Sequence, residues 1–344
     1  MASNTSVEQA LFIDHIQSEM DLMLRNVTED LKAVNDMVFY PKQVKEPTSV
    51  FSIPYDSPLP SRIDGQIVEE GLKQASYTAK IHPVGMSVKW GVEEDDFNMA
   101  KMSLTTQAQN VAQHFANLHW YFTAELLEGT AGSAGARWYD NIPTCWDGTA
   151  LFSSSARFGY SAGNLLSSAA SAAAHTVQDL ADDYKAGLKA FSSYEFPRNG
   201  NKMWKIGSNT RILWMIPGEM VDVVEEFLNS KLIVRGLGVA GTATDFVGGA
   251  ATNPWPLPRF EYKIVDQLSG TNDYYMVISD SRFPATKPFI SLTKSGYGAY
   301  KMTPYLEPQD YRLRMDRNRA VVFETYAGVV PMAPQAIVKF NNAN

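Results

Sequence analysis

The chain is short of several things, and each shortage removes a class of function. It has a single cysteine, Cys145, in 344 residues. An internal disulfide is therefore impossible, and cysteine usage says nothing about compartment. No apolar run approaches the roughly 18 residues that a membrane-spanning helix needs. The opening residues, Met-Ala-Ser-Asn-Thr-Ser-Val-Glu, have neither the basic region nor the apolar stretch of a signal peptide, so a chain made and working in solution is expected. Basic residues are in deficit: 30 Lys and Arg stand against 37 Asp and Glu, a formal charge of −7. A protein whose main task is gripping nucleic acid shows the opposite balance. Histidines number five. His114 and His119 lie five apart on one predicted helix, which turns their rings about 140° away from each other, whereas a helical metal pair needs a spacing of four. No metal or other cofactor is expected.

Catalytic motifs are also missing. No Gly-x-Ser-x-Gly elbow occurs, and Cys145 has no motif around it. Gly236-Leu237-Gly238-Val239-Ala240-Gly241 matches GxGxxG, and Lys231-Leu232-Ile233-Val234 before it reads as a strand. A dinucleotide site needs a helix straight after the glycines. The following Thr-Ala-Thr-Asp-Phe-Val-Gly-Gly cannot supply one, so a flexible glycine loop is the reading. Glu93-Glu94-Asp95-Asp96 is an acidic run that suits the start of a helix, where carboxylates complement the dipole and cap free N–H groups. As catalytic carboxylates, such residues would belong to a soluble carbohydrate-active enzyme, the alternative function, which requires two carboxyl groups facing one deep pocket. Trp146-Asp147-Gly148 reads as a tight turn.

Apolar residues make up 45% of the chain and charged residues 19%, enough for a substantial core. Residues 7–38 read as a helix, because Ile16, Met20, Met23, Val27, Leu31, Val34 and Val38 recur at spacings of three and four. This stripe is expected to pack on the protein's own body, with a seam against another chain as the minority alternative. Pro41 to Trp90 holds six prolines and short alternating runs, Val50-Phe51-Ser52-Ile53 and Ser76 to Ile81, around a charged tip, Arg62 to Gly71. Two strands with a long tip make an extended hairpin arm, and a lone hairpin needs another surface. A short strand at 87–92 follows. Residues 97–128 then form the longest helix, about 45 Å at 1.5 Å per residue, ending at Gly129 as C-cap.

Residues 129–175 form a surface loop pinned by Trp138, Tyr139, Trp146, Phe152, Phe158 and Tyr160. Thr176 caps a helix that runs to about Ser192. Arg211 to Pro217 is a buried strand stopped by proline. Glu219 to Asn229 is a helix with Val223, Val224, Phe227 and Leu228 inward, and 231–259 is a glycine- and proline-rich loop. Strands are expected near 260–267, 274–279, 310–316, 319–329 and 335–340. This order, with a mixed sheet and two helices in its second half, is α+β.

Charge is uneven along the chain. Residues 1–40 carry seven acids and two bases; residues 286–320 carry seven bases (Lys287, Lys294, Lys301, Arg312, Arg314, Arg317, Arg319) and three acids. Two solvated faces account for this, as does complementarity between neighbouring copies.

Several segments together resemble the Mu-like major head subunits of tailed phages. Asp147 to Ser153, followed by Asn164-Leu165-Leu166, resembles that family's polar turn, "LF" and "GN-L" element. Ile212 to Met220 resembles its strand–proline–helix signature, and Val265 to Leu268 with Tyr274 to Asp280 its paired strands. Asp316 to Lys339 is similar to the C-terminal end of such subunits. The family often has a histidine after "LFS", where this chain has Ser154-Ser155-Ala156-Arg157, and Asn-Pro-Trp-Pro-Leu-Pro is unusually proline-rich for it. No coiled-coil prodomain is evident, so no fused scaffolding segment is expected.

The resemblance covers nearly the whole chain and implies the Hong Kong 97-type phage capsid fold. On that pattern residues 1–45 form an N-terminal arm and 46–90 the extended E-loop hairpin. Residues 91–175 form the peripheral domain with its long spine helix, 176–310 the axial domain, and 311–344 the C-terminal strands returning to the peripheral domain. The implied function is a major capsid protein that self-assembles into an icosahedral shell around double-stranded DNA. Partners would be the chain itself in hexamers and pentamers, portal and scaffolding proteins, a decoration protein, and packaged DNA through weak non-specific contact, with no membrane. Assembly would take place in the host cytoplasm and the product would be the virion capsid. Arg62, Asp64, Glu69 and Glu70 in the hairpin tip, and Arg312, Arg314 and Arg317, are the candidate inter-subunit contacts.

Overall fold

The computed structural model describes residues 2–56, 73–91, 100–129, 137–157, 163–170, 175–195, 200–207, 210–229, 232–235, 249–252, 260–268, 273–280, 286–305 and 318–342. The chain opens with helix α1 (Ala2–Val38), followed by strands β1 (Phe39–Val44), β2 (Thr48–Asp56), β3 (Lys73–Lys80) and β4 (His82–Gly91). Helices α2 (Ala100–Ala116) and α3 (Leu118–Glu128) come next, then β5 (Leu165–Ser167), α4 (Val177–Ser193), β6 (Thr210–Ile216) and α5 (Val221–Asn229). Strands β7 (Leu232–Arg235), β8 (Gly249–Thr252), β9 (Phe260–Ile264), β10 (Tyr274–Asp280), β11 (Phe289–Lys294), β12 (Lys301–Tyr305), β13 (Asn318–Pro331) and β14 (Ile337–Asn341) complete an α+β architecture.

One five-stranded sheet runs β5-β14-β10-β6-β9 and is buried on both faces. Its central strands read as continuous apolar runs because neither side meets water. Along β6, Ile212, Trp214 and Ile216 enter one core with α4 and α5, while Leu213 and Met215 enter another with α3. Trp214 stacks on Phe227 of α5 at 5.5 Å and 7°. Burying side chains of this size is worth about 1.5–3 kcal/mol each, so the two faces of this sheet carry much of the fold's stability. Pro217 ends β6 because it has no N–H to extend the ladder. α4 starts at a capping box: the Thr176 hydroxyl accepts from the Asp179 N–H at 3.2 Å, and the Asp179 carboxylate accepts from the Thr176 N–H at 2.9 Å. Gly187 lets α4 press onto the sheet, since a Cβ there would lie 2.5 Å from the Met276 sulfur.

The second five-stranded sheet has the order β1-β11-β13-β12, with β4 along the far side of β13. The fourteen-residue β13 is its spine, pairing with β4 from Asn318 to Ala327 and with β12 and β11 on its other edge. Ile16 and Met20 of α1 pack with Val111 and Phe115 of α2 over Val321 and Phe323 of this sheet. The α1 stripe thus lies on the protein's own body as its spacing predicts, with Val27 and Leu31 less covered than the two ends.

Several expectations need correction. The described part of the stretch read as one helix over 97–128 is two helices, and among the described residues the longest helix is α1, with 37 residues. The break is at Asn117, whose backbone takes φ −90° and ψ 5° while its side-chain amide donates to the Gln113 carbonyl at 3.0 Å. The Asn117 N–H keeps its helical bond to that same carbonyl at 3.0 Å, so the break is a change of backbone angle and not a lost bond at this residue. Gly129 does follow α3, but in an extended conformation; glycine is required there because a Cβ would sit 2.6 Å from the Glu125 carbonyl oxygen. The strand expected at 87–92 begins earlier, at His82. The 231–259 loop includes the antiparallel pair β7–β8. Strands β1, β5, β11 and β12 were not anticipated, and the expected single mixed sheet is two sheets. The strand expected at 310–316 lies outside the described residues.

Candidate assembly surface

The hairpin arm is the feature that most needs a partner, and its root is well defined. β2 and β3 pair antiparallel from Thr48↔Lys80 through Phe51↔Tyr77, with an irregularity between Pro54 and Asp56. Alternation decides the two faces. Phe51, Tyr77 and Ala79 are buried against Val44, Ile290, Leu292 and Val330. The Tyr77 hydroxyl donates to the Thr144 carbonyl at 2.8 Å, and burial pushes its pKa well up. Lys42 lies over the Phe51 ring at 4.3 Å. Lys80 pairs with Asp140 at 3.1 Å on the surface, a contact worth little by itself. On the other face Val50 is 68% exposed, and Ser52, Ser76 and Thr78 are exposed around it. Among the described residues β2 and β3 pair only with each other.

The tip residues Arg62, Asp64, Glu69 and Glu70 lie outside the described residues, as do Arg312, Arg314 and Arg317. The acidic run Glu93 to Asp96 and the glycine motif Gly236 to Gly241 lie outside them too.

The structure does bring the acidic helix and part of the basic segment together, within one chain. Tyr300 donates to Asp21 of α1 at 2.5 Å. Lys287 is buried, donates to the Ser279 hydroxyl at 2.7 Å and feels the Asp36 carboxylate; burial lowers its pKa against that attraction. Lys294 sits over the rings of Tyr297 and Tyr326 at 4.6 and 4.1 Å.

Beside the hairpin root, the loop from 137 to 157 is built around a buried ion pair. Arg157 donates from Nε and Nη2 to Asp147 at 3.0 and 2.8 Å, and from Nη1 to the carbonyls of Ala150 and Leu151. The two side chains are 8% and 10% exposed. The expected Asp147–Gly148 turn is present, with Gly148 at φ 77°. Arg157 stands in the segment where the family pattern often places a histidine, and motif matching gave no hint of its role. The signal available was an arginine ten residues after an aspartate in a charge-poor stretch. Burial pushes the neighbouring Cys145 thiol up to about 11, against the pull of Arg157.

Asn164 locks this loop to the end of the chain. Its amide nitrogen donates to the carbonyls of Leu151 and Pro334 at 2.9 and 3.0 Å, and its oxygen accepts from the Ser153 N–H. Gly163 before it admits no side chain, because a Cβ would lie 2.0 Å from the Ser153 oxygen. The Gly-Asn pair in the sequence is therefore a packing and hydrogen-bonding clamp.

Two clefts are defined by described residues. One, of about 320 Å³, lies beneath the middle of α1 and includes Asp36 and His119. The other, of about 180 Å³, lies at the α2–α3 break and includes His114, Lys263 and Asp266. Each has one carboxylate, not the facing pair that the glycosidase alternative requires. His114 pairs with Tyr121 at 2.7 Å. Among the described residues no group of three His, Cys, Asp or Glu could hold a metal, and no helix is long and apolar enough to cross a membrane.

No protein-family model matches the chain, and no curated protein matches it. Among solved structures, it is similar to the bacteriophage PhiM1 mature capsid at 13% identity and TM-score 0.48, over 89% of this chain and 85% of that one. It is similar to a virus-like particle from Pyrococcus furiosus at 10% identity and TM-score 0.44, over 93% and 96%. It is also similar to a structure of Mycobacterium phage Patience at 10% identity and TM-score 0.47, over 97% and 87%.

Proposed function

We propose that this chain is the major capsid subunit of a tailed phage, of the Hong Kong 97 type and the Mu-like head family, and that it self-assembles into an icosahedral shell around double-stranded DNA. The observation that carries this reading is the hairpin. Its inner face packs on the protein's own body, while Val50, Ser76 and Thr78 on its outer face are exposed and, among the described residues, neither strand pairs with a third, an arrangement that natural proteins cover or pair. A neighbouring copy is the partner that covers every hairpin in a closed shell. The order of arm, hairpin, helix and two-sheet body supports the same reading, and so does the sequence resemblance.

On this reading residues 1–45 are the arm, 46–90 the E-loop, 91–175 the peripheral domain, 176–310 the axial domain and 311–344 the returning strands. Arg62, Asp64, Glu69 and Glu70 meet the next copy, and Arg312, Arg314 and Arg317 offer it a basic surface. Rim ion pairs of this kind are worth about 0–1 kcal/mol each, so the shell depends on many repeated contacts. Portal, scaffolding and decoration proteins are the further partners. The net negative subunit touches packaged DNA only weakly and in a salt-sensitive way. Assembly proceeds in the host cytoplasm and ends in the virion.

Light scattering and negative-stain imaging of the purified protein test the proposal. Shells, tubes or capsomers are expected, and a chain that is monomeric under all conditions overturns it. Deleting residues 55–75 should leave the body folded and abolish assembly; unchanged assembly would remove the role given to the arm.

A further inference from the structure

The hairpin arm leaves the body at a single corner, and a histidine follows that corner directly. Ile81 alone separates β3 from β4, and its N–H donates to the Pro47 carbonyl at 2.9 Å. Gly328 lets the corner pass over β13, because a Cβ there would lie 2.7 Å from the Lys80 carbonyl oxygen. The half-buried ring of His82 lies 6.1 Å from that of Phe122 and 5.9 Å, edge-on, from that of Tyr139. Both of those side chains are buried. The loop that supplies Tyr139 also holds the hairpin root. Asp140 pairs with Lys80 at 3.1 Å, and the Thr144 carbonyl accepts from the Tyr77 hydroxyl at 2.8 Å. Tyr139 itself donates to the Val329 carbonyl at 2.6 Å. One short run of chain thus touches both His82 and the arm.

We propose that His82 is an acid-sensitive latch: the neutral ring keeps Tyr139 and Asp140 seated, and protonation draws this segment out of place and frees the hairpin root from the body. Among the described residues the ring has no hydrogen-bond partner, and two buried aromatic rings take the place of water on its inner side. The charges acting on it are Lys80 from β3, which repels an imidazolium, and Asp140 from the loop, which attracts it but is engaged by Lys80. α3 contributes Glu125, whose carboxylate is taken up by the N–H groups of Arg137 and Trp138, and β13 places Ala327 opposite His82. Burial first, then Lys80, lowers the pKa of His82 from 6.5, against the pull of Asp140. With the folded value lowered, the contribution of the neutral ring is complete above pH 6.5 and is lost as pH falls below it. The latch belongs to the single subunit and does not depend on shell formation.

Cys145 supplies the probe: it is the chain's one cysteine and is buried next to Thr144 in the same loop. Its reaction with 4,4′-dithiodipyridine in the full-length chain, at pH 7.5 and 5.0 and normalised to glutathione at each pH, tests the proposal. The wild type should react about threefold faster or more at pH 5.0. Hydrogen exchange of β2 and β3, corrected for its intrinsic pH dependence, should rise in parallel. His82→Phe and His82→Gln should each hold the two labelling rates within about 1.5-fold of one another, with circular dichroism confirming the fold and either variant sufficing if the other does not fold. His119 acts on the whole fold over the same range, and both variants retain it. Asp140→Asn should move the acid transition to lower pH, because it removes the attraction that opposes the shift. A wild-type rate that does not change with pH, an equal rise in a folded His82 variant, or faster labelling with no change in the hairpin would overturn the proposal.

Discussion

Acid should weaken this protein through one identifiable group, His119. Burial lowers its pKa from the usual 6.5 to about 4, while a hydrogen bond to the Leu292 backbone acts in the opposite direction. The residue keeps some accessible surface, but its Nε2 has none. The unfolded chain therefore binds a proton between pH 6.5 and 4 that the folded chain refuses. The stability contributed by the neutral ring is complete above pH 6.5 and is lost as pH falls toward 4. At roughly 1.4 kcal/mol per pH unit, the whole window corresponds to about 3 kcal/mol, of which about 2 kcal/mol is gone by pH 5. That is a large fraction of a typical stability of about 5–15 kcal/mol.

Urea unfolding at pH 7.5 and pH 5.0, for the wild type and for His119→Phe, isolates the effect. The variant pays a cost for the lost Leu292 hydrogen bond at both pH values, and every other titrating group cancels in the double difference. The wild type should lose about 2 kcal/mol more than the variant on acidification. Equal losses, within about 0.5 kcal/mol, would refute the view that this ring is held neutral by burial.

Arg157→Met should cost about 3–5 kcal/mol by leaving the Asp147 carboxylate buried and unpaired; adding Asp147→Asn should restore part of it in denaturant melts, and no restoration would argue against the ion pair as the cause. Gly163→Ala should cost at least about 3 kcal/mol, because its Cβ would overlap the Ser153 oxygen, whereas Gly148→Ala, with open space but φ 77°, should cost about 1 kcal/mol. Val50→Asp should leave the melting temperature unchanged, since the side chain is 68% exposed, and should reduce particle formation in light scattering. Cys145 should resist a thiol reagent at pH 8 until the chain is unfolded, because burial holds the thiol near 11.

The legible parts of this fold are those fixed by local periodicity and local chemistry. α1 follows its own apolar stripe, β6 its run from Ile212 to Ile216 and the proline after it, and α4 the Thr176–Asp179 pair; the hairpin register follows the alternation around Phe51 and Tyr77. The illegible parts depend on residues far away in the chain. β1 and β5 are short strands paired in parallel with β11 and β14, which follow them by more than a hundred residues. Nothing in Phe39–Val44, with its proline and four exposed positions, has strand periodicity. The break at Asn117 was invisible because apolar spacing continues across it; it shows only in the backbone angles, since the Asn117 N–H keeps its helical bond to the Gln113 carbonyl.

Charge was the most misleading signal for the candidate surface, and the reason bears on assembly. Counting residues 286–320 as one basic face treats every lysine as available to a partner. Lys287 is buried on Ser279 and Asp36 because β10 and α1 converge there, and Lys294 is held between two tyrosine rings. Asp21 is likewise engaged by Tyr300. Part of the apparent complementarity between acidic helix and basic segment thus fastens α1 to its own body. A charge contact between copies has to draw on groups that this internal use leaves over. Reversing Lys301, which is exposed opposite Glu324 in the β12–β13 register, should therefore alter particle yield while destabilising the subunit by no more than about 1 kcal/mol. Reversing Lys287 should instead unfold the subunit before assembly can be scored. If both reversals changed unfolding equally, the division between internal and external charge would be wrong.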